Sequence, residues 1–75
     1  MLYEKALKEV EECILLCKRY SDYNRLAFSY VRKGIILKNL HQSGDEYIKK
    51  GIDIVQLLER DDLLNLIMDE TKKYI

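Results

Sequence analysis

Two glycines, Gly34 and Gly51, sit inside runs whose apolar residues recur with a helical period: LAFSYVRKGIILKNL and EYIKKGIDIVQLLE. Glycine within a helix costs about 1 kcal/mol relative to alanine. Two of them in facing positions make sense where two helix backbones must approach more closely than any side chain allows. The stretch Leu26–Glu59 therefore reads as a helical hairpin folded back at the polar break HQSGD, and the remainder of the chain as its flanking helices.

Periodicity places four helices, at about 2–20, 22–40, 44–59 and 62–74. In the first, Leu2, Tyr3, Ala6, Leu7, Val10, Cys13, Ile14 and Cys17 follow i, i+3, i+4, i+7 spacing, and Leu15 and Leu16 widen the stripe. The second is apolar around most of its circumference, so neighbours on more than one side are expected. In the third, Tyr47, Ile48, Gly51, Ile52, Val55 and Leu58 share a side. The fourth runs through Leu63, Leu64, Ile67, Thr71 and Tyr74. Start signals are Ser21 or Asp22, a capping box of Ser43 with Glu46, and Asp61 or Asp62. Short connections make sequential helices antiparallel neighbours. With no proline and no alternating β-branched runs, the expectation is a single all-α domain over 1–75.

Thirteen basic residues balance thirteen acidic ones. A neutral chain has no general attraction to nucleic acid or anionic membrane, and no apolar run reaches the ~20 residues of a membrane span. The acidic, amphipathic N-terminus does not resemble a signal peptide. Cys13 and Cys17 lie on one helix in poor geometry for a mutual disulfide. As apolar-face thiols they point to a reducing cytoplasm. A core of this size contributes only ~3–5 kcal/mol without staples or partners, so self-association as a dimer is expected.

The first and third helices end alike, CILLCKRYSD beside IDIVQLLERDD, each leading into another helix. With Gly34 followed by Leu37, Gly51 within EYIKKGIDIV, and Ala6, Val10 and Cys13 within KALKEVEECILLC, the chain resembles the tetratricopeptide repeat family. In that pattern Gly34 takes the helix A glycine and Gly51 the most restrictive small position of helix B. The order is B–A–B–A, one full repeat with a half-repeat on either side. HQSGD is shorter than the family's usual turn, and the aromatic that opens helix A is missing. The spacing from Cys13 to Gly34, with KRYSDYNRLAFSY between repeats, is similar to the long-helix repeats of Rap-, NprR- and PlcR-type bacterial peptide-sensing regulators. The resemblance implies a peptide- or protein-binding module, free-standing or a piece of a larger regulator. It also implies a concave groove lined by helix A. Mapped from Gly34, the groove positions are Phe28, Val31, Arg32, Ile35, Lys38 and Asn39: apolar side chains for a ligand's apolar groups, and Lys38 and Asn39 for its backbone or carboxylate.

Other constellations carry less. Cys13, Cys17 and His41 fall short of the four suitably spaced ligands of structural zinc, so no metal and no cofactor are expected. His41 is placed to favour a helix C-terminus rather than to move protons. With no carboxylate pair, Ser/His/Asp set or phosphate loop beside it, an enzyme is not expected. Arg25, Arg32, Lys33 and Lys38 make the second helix basic, which reads first as a solvated face and not as a nucleic-acid contact. The alternative to a ligand groove is a small structural bundle that only dimerises.

Overall fold

The computed structural model describes residues 2–72 and is all-α, with four helices: α1 Leu2–Arg19, α2 Tyr23–Asn39, α3 Asp45–Leu57 and α4 Asp61–Thr71. The expected helices are all present, with ends that differ by no more than three residues. Tyr74, expected in the last helix, lies outside the described residues.

Each helix packs against its sequence neighbour, and α2 alone comes close to all three others. The result is a thin layer, 36 × 29 × 16 Å, rather than a closed bundle. One core joins Ala27 and Val31 of α2, Val55 of α3 and Ile67 of α4, all fully buried. A second joins Ile14 and Cys17 of α1 to Leu26 of α2. Ile54 packs against both. The first core explains why α2 is apolar on so many sides.

Glycine makes the α2–α3 seam possible. A Cβ at Gly34 would lie 2.5 Å from the Gly44 carbonyl oxygen and 2.6 Å from Ile48 Cγ1. At Gly51 it would lie 2.5 Å from the Ala27 carbonyl oxygen and 2.5 Å from Val31 Cγ2. The two contacts are reciprocal, because the same hexad pattern occurs in both helices: Tyr-Val-Arg-Lys-Gly-Ile at 30–35 and Tyr-Ile-Lys-Lys-Gly-Ile at 47–52. Gly34 of one copy of the motif packs on Ile48 of the other, and Gly51 packs on Val31. The third glycine, Gly44, belongs to the same seam, its backbone lying against that of Gly34.

The three joints are built from one device. After α1, α2 and α3 the chain passes through a residue of positive φ: Ser21 at 55°, His41 at 60° and Glu59 at 56°. The amides that follow close Schellman-type caps: Asp22 N–H donates to the Cys17 carbonyl (2.9 Å), Gln42 N–H to Leu37 (2.8 Å) and Arg60 N–H to Val55 (3.2 Å). The N–H of the residue of positive φ donates to the next carbonyl along, that of Lys18, Lys38 and Gln56 respectively. This motif usually recruits glycine. Here it does not, so the positions of positive φ carry no glycine signature.

Asp22 and Arg60 each close one helix and open the next. Asp22 accepts from the Arg25 amide (3.3 Å), as a capping aspartate should. At α4 the N-cap is Arg60, not Asp61 or Asp62; its guanidinium holds Asp62 in the first turn at 3.1 and 2.9 Å. The expected Ser43–Glu46 capping box does not form: Gly44 is the N-cap of α3, with no side-chain cap. Gly44 takes that place because its backbone must lie against Gly34. Leu15 and Leu16 do not widen the buried stripe of α1; both are exposed.

Candidate functional site

The six residues expected to line a groove on α2 are not brought together as one. Val31 is fully buried in the main core, under Gly51. It faces Gly51 of α3, while Phe28, Arg32, Ile35 and Asn39 lie on the adjoining sector of the helix, about 40–100° further round. Phe28 and Ile35 pack half-buried against the core that includes Ile67 of α4. Asn39 donates from Nδ2 to the Ile35 carbonyl at 3.0 Å, within its own helix. Lys38 Nζ lies 2.6 Å from Asp45 Oδ1 and ties α2 to the start of α3. Phe28 and exposed Arg32 line a shallow hollow of about 300 Å³ beside Cys13, Ser29 and Arg25. The α2 face assigned to ligand is thus divided between core, helix-to-helix bonding and this hollow.

A larger concavity opens on the other side of α2. It occupies about 400 Å³, with α2 as floor and α1 and α3 as walls. The size falls within the usual range for a small-ligand or peptide-side-chain pocket. Its centre is a pair of stacked tyrosines, Tyr30 from α2 and Tyr47 from α3, with ring centroids 6.4 Å apart and planes inclined by 23°. Three lysines gather around them. Lys33 lies 4.3 Å from the Tyr47 centroid; Lys50 lies 5.2 Å from Tyr47 and 5.7 Å from Tyr30; Lys18 of α1 lies 5.8 Å from Tyr30. Within about 6 Å, an ammonium gains from the negative face of an aromatic ring. Ile14 and Leu15 supply an apolar wall.

Lys33 is only 17% exposed and pairs with Glu11 at 3.3 Å. Lys18 and Lys50 are exposed and have no carboxylate partner within ion-pair distance among the described residues. A neutral chain thus concentrates three cations and one anion around a single hollow.

Periodicity alone places Tyr47 on the apolar side of the third helix and Lys33 on a solvated face. The signal that identifies them is the repeated hexad. Tyr30–Lys33–Gly34 and Tyr47–Lys50–Gly51 share spacing, so the reciprocal packing of each glycine on the other motif also stacks tyrosine on tyrosine and draws both lysines over the rings.

The thiols form a separate cluster. Cys13 Sγ is 3.9 Å from Cys17 Sγ and 3.3 Å from Ser29 Oγ. Burial, followed by contact with the Cys13 thiol, pushes the Cys17 thiol above its ordinary value, so less of it is nucleophilic thiolate near neutral pH. Iodoacetamide at pH 8 is therefore expected to label Cys17 on the order of tenfold more slowly in the folded protein than in urea. Mass-spectrometric quantification of each cysteine checks this, and equal rates would contradict the buried placement. Among the described residues no group of three or more His, Cys, Asp or Glu side chains is disposed to hold a metal ion. No described helix is long and apolar enough to cross a membrane. Family models, curated proteins and solved structures yield no match to this chain.

Proposed function

We propose that the chain is a non-catalytic interaction module that binds a peptide or a protein segment. The observation that carries this reading is the open concavity across α2. The helices stack in sequence as a thin layer, and the hollow between α1 and α3 is left for something other than this chain's own core. Open layers of helical hairpins of this kind present extended binding surfaces.

The shared positive-φ device at all three joints supports reading the chain as a run of successive helical hairpins. On that basis the reading extends to a tetratricopeptide-like repeat of a bacterial peptide-sensing regulator, working in the cytoplasm. The test is selection of binders from a random-peptide library on the full chain, followed by amide chemical-shift mapping. Binders that perturb Tyr30, Lys33 and Tyr47 are expected. Binders that map elsewhere, or none at all, would overturn the proposal.

Self-association is the second reading, and one observation favours it: Leu57 is 84% exposed, Leu66 55% and Met68 48% near the α3–α4 end. If copies pair there, the melting temperature rises with protein concentration; a value flat across dilution removes this reading.

A further inference from the structure

We infer that the occupant of the tyrosine–lysine hollow is an acidic peptide segment that also carries an apolar side chain. The inference rests on the peptide-binding reading above and adds the chemistry of the ligand.

Three ammonium groups of one chain repel each other, and the tyrosine faces offset only part of that repulsion. Glu11 neutralises Lys33. The charges of Lys18, on the α1 wall, and Lys50, on the α3 wall, face the hollow from opposite sides with no carboxylate of the described chain to meet them. Carboxylates of a bound segment would supply what is missing, and complementary potentials of this kind set the choice of partner. The lysine ammonium is a point charge on a flexible stem and does not demand a planar, bidentate partner. It therefore suits carboxylates presented at varying positions along a peptide. The surface between the cations is the Tyr30–Tyr47 stack and the wall made by Ile14 and Leu15. Leu15, 67% exposed, gives an apolar side chain somewhere to lie. A ligand of charge alone would leave this wall unused.

The test uses the peptides selected on the full chain. Enriched sequences are expected to be net acidic with at least one large apolar residue. Their affinity is expected to fall as salt rises, and to fall on the order of tenfold to a hundredfold in the double variant Lys18→Glu/Lys50→Glu, where attraction becomes repulsion. Both side chains are exposed, so the variant should keep the parent's circular dichroism and melting temperature, which separates lost binding from lost fold. Neutral or basic binders that still map to Tyr30 and Tyr47 would overturn this inference and leave peptide binding standing. Binders indifferent to the double variant would also overturn it. Titration with inorganic phosphate and with single-stranded polythymidine completes the set. An equal response to phosphate would mark a simple anion site, and tighter binding of the oligonucleotide would mark a nucleic-acid surface; either result overturns the acidic-peptide assignment. Absence of any binder would overturn both this inference and the reading beneath it.

Discussion

Gly34→Leu is expected to abolish the cooperative fold. A Cβ at this position would meet the Gly44 carbonyl oxygen at 2.5 Å and Ile48 Cγ1 at 2.6 Å. The nearer obstacle is backbone and cannot rotate away. A leucine adds three further carbon atoms to the same seam, so α3 must move off α2, and the main core opens where Val31 packs beneath Gly51. Overpacking typically costs ~1–3 kcal/mol and more where nothing can yield. A chain of this length has roughly 4–11 kcal/mol of stability in total.

Gly34→Ala separates the competing effects. Alanine gains about 1 kcal/mol of helix propensity, and the clash should outweigh it, for a net loss of about 2 kcal/mol. Thermal and urea unfolding followed by circular dichroism measure both variants. A Gly34→Ala protein more stable than the parent would show that the helices do not approach this closely.

Val31→Asp is expected to be nearly as severe, and it distinguishes the core side of α2 from the sector beside it. Val31 is fully buried among Ala27, Val55 and Ile67. A carboxylate there has no cation to meet it, and burying an unpaired charge costs several kcal/mol even after the group neutralises itself. The carboxyl would have a raised pKa in the folded state. Its penalty is therefore greatest above that pKa and eases as pH falls through it, so any recovered helicity should appear on mild acidification. Asn39→Ala, about 80° round the same helix, removes one hydrogen bond to the Ile35 carbonyl and should cost no more than about 1 kcal/mol. If both variants fold equally well, Val31 is a surface residue and the packing of α2 against α3 is not as described.

These two variants also mark what the sequence could and could not disclose. Helix number, helix type and the close approach at Gly34 and Gly51 were legible, because a 3.6-residue period interrupted by an expensive residue has few explanations. Asp22 as a cap was legible for the same reason. The rotation of α2 was not. Tyr30 and Leu37 lie on one side of the helix and Val31 and Ile35 on another, and with apolar groups on most sides a periodic pattern cannot say which face meets α3. Val31 was therefore assigned to ligand when it belongs to the core. The role of Gly44 was hidden because a glycine in a polar break suggests a turn, and its contact with Gly34 depends on how the hairpin closes. The joints were hidden because Ser21, His41 and Glu59 adopt positive φ without being glycine. The hollow required two copies of a short motif to be recognised as facing each other, which is a tertiary fact written in a local repeat.

The wiring of the helices also bears on how the chain reaches this structure. Except for the contact of α4 with α2, every helix–helix contact joins neighbours in sequence across a joint of three to five residues. Closing such short loops sacrifices little chain entropy, and topologies of this sort fold in microseconds to milliseconds. The α2–α3 hairpin, with its reciprocal glycine seam, is the natural nucleus, onto which α1 and α4 can add in either order. A chain wired this way spends little time with its apolar surfaces uncovered.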